Sequence, residues 1–179
     1  MSLAVFEVPT LRALAGRWSS VTSFTLPSRV DAGVEVPFAV AGHLDASTDW
    51  PNFAVGFFYI EGPMAEITLE VDGRIYTLRP GGGVAKYTPS PYPCTTISLD
   101  CKIKALDAGI YYFCAVTGYV EAGTFYYDDR VDKTVESVAP PWPWWLLPLG
   151  AGLGILAIVG GIIIYEERRR QELMLLMMR

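Results

Sequence analysis

Between Trp144 and Tyr165 the chain runs WWLLPLGAGLGILAIVGGIIIY, 22 residues without a charge. At about 1.5 Å of rise per residue, roughly 20 apolar residues carry a helix across the hydrocarbon core of a bilayer. The ends hold rings that prefer the headgroup level, with Trp142, Trp144 and Trp145 at one boundary and Tyr165 at the other. Glu166, Glu167, Arg168, Arg169 and Arg170 follow at once and close the apolar run. A core helix of a soluble domain needs neither this length nor these ends. The segment predicts a single C-terminal transmembrane helix over 144–165, and a lipid bilayer as a partner.

The flanks refine that expectation. Gly150 and Gly154 stand in a GxxxG spacing that lets helix backbones approach in lipid, although glycine is also common in membrane helices generally. Both readings stay open. Residues 139–143, Ala-Pro-Pro-Trp-Pro, form a short stiff linker, because proline fixes φ and biases the residue before it toward extended backbone. Residues 166–179 make a short charged and Met-rich tail, suited to the interface or to a partner. Orientation is ambiguous. The basic triplet places the tail in the cytoplasm by the positive-inside rule, whereas the opening Met1-Ser2-Leu3-Ala4-Val5-Phe6-Glu7 has no basic start and reads as no export signal.

Charge divides along the same line. Residues 1–143 hold 10 Lys/Arg against 16 Asp/Glu, a net of −6, while residues 144–179 hold four Arg against three Glu, a net of +1. An acidic head argues against a protein that coats nucleic acid. Arg168, Arg169 and Arg170 are the one basic cluster that could meet it, and Glu166, Glu167 and Glu172 weaken even that attraction. With 51% hydrophobic and 18% charged residues, the chain is not disordered. Asn52 and Gln171 are its only side-chain amides, consistent with a hot habitat or with coding bias. The cysteines are Cys94, Cys101 and Cys114, so pairing cannot be complete; three reduced thiols or a Cys94–Cys101 bridge are the alternatives.

The front of the chain reads as strands. Short β-rich runs at 20–26, 34–41, 53–61, 65–71, 74–78, 96–100, 102–105, 110–117 and 124–131 are broken by Gly, Pro and Asp. Asp72-Gly73 is the strongest hairpin signal, since a type I′ turn needs positive φ at both central residues. Such spacing predicts an all-β sandwich over 20–138. Residues 1–19 are read as an N-terminal arm, which a helical turn, an added strand or a reach toward a neighbour would each satisfy.

The run Leu106-Asp107-Ala108-Gly109-Ile110-Tyr111-Tyr112-Phe113-Cys114-Ala115-Val116 resembles the penultimate strand of immunoglobulin-like domains. It carries Asp-x-Gly-x-Tyr and a tyrosine two before a cysteine. The resemblance implies an Ig-like β-sandwich, with a jelly roll as the alternative. It also implies Tyr112 as the corner tyrosine, buried beside Cys114. Two departures stand out: Asp107 lies seven residues before Cys114, one more than in antibodies, and Val36, Phe38 and Val40 occupy the second-strand region where a cysteine would be. The pattern is closer to the looser sandwiches of prokaryotic surface proteins and viral structural proteins.

Chemistry is sparse. His43 is the only histidine, so any acyl-transfer constellation would have to use it, and it reads as a loop residue. The cysteines lack zinc-ligand spacing, and Gly81-Gly82-Gly83 lacks the Lys-Ser/Thr and the helix of a phosphate loop. Asp128, Asp129 and Asp132 could serve calcium or guard an edge strand. The aromatics at 53–59 and 111–127 exceed one buried face, so either both faces are covered or some rings form a contact surface. We therefore expect no cofactor, no metal, no small-molecule substrate and no catalysis. The expected role is a membrane-anchored structural protein contacting other structural proteins or copies of itself. Its most specific form is a virion component that links a capsid shell to a membrane. A cell-surface adhesion or envelope protein and an accessory subunit of a membrane enzyme are the alternatives.

Overall fold

A computed structural model describes residues 4–14, 18–45, 53–88 and 96–140. Twelve strands fill them: β1 (Ala4–Val8), β2 (Thr10–Ala13), β3 (Ser19–Phe24), β4 (Arg29–Asp31), β5 (Val36–Leu44), β6 (Phe53–Glu61), β7 (Ile67–Val71), β8 (Arg74–Leu78), β9 (Gly83–Tyr87), β10 (Thr96–Ile103), β11 (Gly109–Glu121) and β12 (Thr124–Val138). One sheet runs β3-β5-β10-β7-β8; the other runs β1-β9-β6-β11-β12-β2, with β4 also on β12.

The order identifies the architecture. Taken in chain order, β3, β5, β6, β7, β10, β11 and β12 occupy the places of strands A to G. They give A-B-E-D in one sheet and C-F-G in the other, which is the immunoglobulin-like arrangement and not a jelly roll. β4 lies parallel to the last strand, with Arg29, Val30 and Asp31 opposite Glu136, Ser137 and Val138. Alternation builds the core between the sheets. Ile67, Leu69 and Val71 point inward from β7, and Ile97, Leu99, Cys101 and Ile103 from β10. Each such side chain contributes roughly 1.5–3 kcal/mol when fully buried.

Two turns follow from the sequence. Asp72 and Gly73 have φ of 46° and 77°, the type I′ pair that joins β7 to β8. Ala122 and Gly123, at 48° and 77°, repeat it between β11 and β12.

Elsewhere the structure differs from the strand reading. The runs at 96–100 and 102–105 are one continuous strand, β10, and β12 extends to Val138 instead of ending at 131. A strand absent from the predicted runs, β9, forms because Val84 and Ala85 are buried against β6. The N-terminal residues are strands of the sheet. β1 and β2 stand at opposite ends of the strand order, yet only Pro9 separates them in sequence. One segment thus pairs antiparallel with β9, changes partner at a residue with no N–H to donate, and pairs parallel with β12. The six-strand path closes on itself around a second core of Val8, Ala54, Phe58, Ala85, Cys114, Val116 and Phe125. This is why β6 is buried on both faces along most of its length.

Candidate functional site

The corner tyrosine is Tyr111, not Tyr112. The Tyr111 hydroxyl donates to the Asp107 carbonyl oxygen at 3.1 Å, and its ring is fully buried. Tyr112 points to the opposite face and is 44% exposed. Ile110, two residues before Tyr112 on the same face of β11, is 53% exposed. The face assignment in the sequence reading is off by one residue because it anchored the motif on Cys114. Counted from Phe113, Asp107 lies six residues back, so the extra residue in the spacing was the signal that the core position belongs to Phe113. Burial, with the negative charge of Asp107 nearby, pushes the Tyr111 phenol up to about 12.

An aromatic spine replaces the usual cross-sheet disulfide. Phe38 on β5 and Phe57 on β6 have centroids 4.8 Å apart, and Phe57 stacks on Phe113 of β11 at 5.2 Å. These are the B, C and F strands, where antibody domains place Cys, Trp and Cys. Tyr59 joins the end of the spine at 5.6 Å from Phe113, and its hydroxyl donates to the Met64 carbonyl at 2.6 Å. Both faces of these strands are covered along much of their length. Most rings fill one core or the other, and Tyr112 stands outside.

Cys114 is buried, as expected, but in the second core. Burial pushes its thiol up to about 12, with Arg130 pulling the other way. Cys101 is a free thiol in the main core, likewise raised chiefly by burial. Both are protonated and shielded, which is the opposite of a nucleophile's setting. Cys94 lies outside the described residues.

The acidic cluster has a structural task. The Asp128 Oδ2 accepts from the backbone N–H groups of Trp18 at 2.5 Å and Ser19 at 2.6 Å, and from the Ser19 hydroxyl at 3.1 Å. Asp129 Oδ2 accepts from the Val21 N–H at 2.8 Å. Two carboxylates of β12 thereby satisfy the free edge of β3 and stitch the sheets together. Asp132 pairs with Arg130 at the surface. Among the described residues no group of three or more His, Cys, Asp and Glu side chains is placed to hold a metal ion.

Two of the surface depressions among the described residues bear on function. A polar cleft of about 550 Å³ is lined by Trp18, Ser19, Ser20, His43, Asp45 and Asp129. His43 there sits at the end of β5, its Nδ1 3.3 Å from the Thr96 hydroxyl. A groove of about 390 Å³ crosses the outer face of the second sheet and is lined by Ile60, Glu61, Tyr112, Arg130, Asp132 and Thr134 among others. With exposed Ile110 beside it, this is an apolar strip with charged margins, the composition of a protein contact.

No helix among the described residues is long and apolar enough to cross a membrane. The expected anchor, with Trp142, Trp144, Trp145, Gly150, Gly154, Tyr165, Arg168, Arg169 and Arg170, lies outside the described residues.

No protein-family model and no curated protein matches the chain. Among solved structures, a cohesin module from a Clostridium perfringens family 33 glycoside hydrolase is similar at 13% identity and TM-score 0.43, covering 69% of this chain and 99% of that one. The CARDB domain of a Pyrococcus furiosus protein is similar at 13% identity and TM-score 0.36, covering 70% and 98%. A conjugative transposon lipoprotein from Bacteroides eggerthii is similar at 14% identity and TM-score 0.36, covering 66% and 96%. The assignment to the Ig-like β-sandwiches rests on strand order and the tyrosine corner, not on these distant likenesses.

Proposed function

We propose that the chain is a non-enzymatic, membrane-anchored structural protein whose sandwich binds neighbouring proteins while residues 144–165 cross a bilayer. The observation that carries this reading is the uncharged 22-residue stretch bounded by Trp144 and Tyr165. The last strand of the sandwich ends at Val138, and the five residues before Trp144 include Pro140, Pro141 and Pro143. Such a linker keeps the head close to the lipid surface instead of on a long tether. Apolar side chains with charged neighbours on the outer face, at Ile110, Tyr112, Arg130 and Asp132, suit contact with protein.

The most specific form of the reading is a virion component that joins a capsid shell to a membrane. A short rigid spacer between an acidic head and a lipid anchor fits a fixed gap between two concentric layers. The test is composition. The chain is expected in purified particles and is expected to leave them when nonionic detergent strips the lipid. Absence from particles overturns the virion role, and removal of the head from intact cells by added protease then assigns it to the cell surface.

A further inference from the structure

Four side chains that the Ig frame does not use stand together on the outer face of the β3-β5-β10-β7-β8 sheet. Ser20 of β3 and His43 of β5 are cross-strand partners, and both are exposed where the adjacent Gly42 and Leu44 are buried. Two residues along the same ladder, the Asp45 N–H donates to the Trp18 carbonyl at 2.8 Å, so Trp18 lies opposite Asp45 on that face. Two cross-strand pairs, about 7 Å apart, thus set an indole beside a carboxylate and a hydroxyl beside an imidazole.

The array is fixed in place and open to solvent. The Trp18 N–H donates to the Asp128 carboxylate at 2.5 Å, and Trp18 is nonetheless 41% exposed. Asp129 lines the side of the cleft, with its Oδ2 accepting from the Val21 N–H at 2.8 Å. His43 turns its Nδ1 to the Thr96 hydroxyl at 3.3 Å. Among the described residues, neither the His43 Nε2 nor the Ser20 hydroxyl has a hydrogen-bond partner. At about 550 Å³ the cleft has the size of a small-molecule site.

The chemistry selects the ligand. The carboxylates of Asp45 and Asp129 repel phosphate-like anions, and one indole is too small a surface for an apolar peptide. A pyranose ring meets every group at once. Its C–H face lies on the electron-rich face of the indole, and its hydroxyls donate to Asp45 and accept from Ser20 or His43. Strands hold these groups, so little ordering is left to the binding step.

We propose that this cleft is a carbohydrate site, taking one pyranose unit of a neutral glycan stacked on Trp18 and hydrogen-bonded by Asp45, His43 and Ser20. The inference concerns the sandwich alone and stands whether or not the membrane reading does.

The full chain, in a detergent without a sugar headgroup, would be mixed with the methyl glycosides of glucose, galactose, mannose and N-acetylglucosamine and followed by saturation-transfer NMR. At least one glycoside is expected to take up saturation at its ring C–H protons and to lose it in Trp18→Ala. Asp45→Asn is expected to weaken binding about tenfold, the worth of one hydrogen bond to a charged acceptor. Ser20→Arg fills the cleft from an exposed position without touching the core, and is expected to abolish binding in a folded chain. Ile75→Ala, exposed on β8, is expected to leave binding unchanged. Choline probes the rival arrangement, in which the indole and the carboxylates hold a cation. Saturation of choline but of no glycoside, saturation of none of these probes, or glycoside binding that survives Ser20→Arg would each overturn the proposal.

Discussion

The hydroxyl of Tyr111 reaches back four residues to the carbonyl oxygen of Asp107, at 3.1 Å, and fixes the corner at which the chain enters β11. Tyr111→Phe removes the donor and with it this hydrogen bond, a loss of about 1 kcal/mol. Tyr112→Phe, on the exposed face, is expected to change stability by less than about 0.5 kcal/mol. Urea unfolding of residues 1–139 with each change would measure both, and equal losses would mean that the corner is misassigned.

The Phe38, Phe57 and Phe113 spine takes the place of a cross-sheet disulfide, so the sandwich should be insensitive to reductant and sensitive to truncation of a ring. Phe113→Ala is expected to cost about 3–5 kcal/mol, because the cavity opens against Phe57 and Tyr59. The melting temperature of the parent in the presence and absence of dithiothreitol should be the same.

Asp128 gathers two backbone donors and one hydroxyl, whereas Asp132, itself exposed, pairs only with Arg130. Asp128→Ala is therefore expected to lose about 2–3 kcal/mol, and Asp132→Ala less than about 0.5 kcal/mol. Chemical denaturation of the two variants separates a stitch between sheets from a charge on an edge.

Ala122 holds a φ of 48° in the turn between β11 and β12, a region where a β-carbon is strained. Ala122→Asn should stabilise by roughly 0.5–1 kcal/mol, since Asn tolerates that region. Gly73→Ala, at φ 77°, should destabilise by about 1–2 kcal/mol. Thermal melts of the two variants should shift in opposite directions.

The buried thiols set an alkaline limit. Cys114 is raised from 9.0 to about 12 in the folded state, and Cys101 is raised as well. The folded chain therefore holds its thiol protons where the unfolded chain has lost them. The sign follows: this stability is whole below pH 9.0 and declines as pH rises toward the folded value. Denaturation midpoints measured from pH 8 upward should fall, and the fall should flatten in the Cys101→Ala, Cys114→Ala variant.

Much of this fold was legible in the residues. Period-two alternation at Ile67, Leu69 and Val71 and the Asp72-Gly73 pair specify a hairpin locally, and the structure forms it there. The C-F-G sheet was harder, because β6 is buried on both faces and so shows no alternation to read. The off-by-one at Tyr111 has the same root. Tyr111, Tyr112, Phe113 and Cys114 are all apolar or aromatic, so pattern alone cannot say which face is inside, and Cys114 drew the motif one residue late. The spacing from Asp107 held the answer. β1 and β2 were not legible, since a five-residue and a four-residue strand on opposite edges become strands only when β9 and β12 exist to pair with them. The second core was hidden for that reason too: Phe58 and Phe125 are 67 positions apart and meet at 5.8 Å only after the sheet has curled.

Detergent phase partitioning of the full chain against residues 1–139 tests the membrane anchor most directly. The full chain is expected in the detergent phase and resistant to carbonate extraction from membranes, with the 1–139 head wholly in the aqueous phase. A full chain that stays aqueous and monomeric without detergent would contradict the anchored reading.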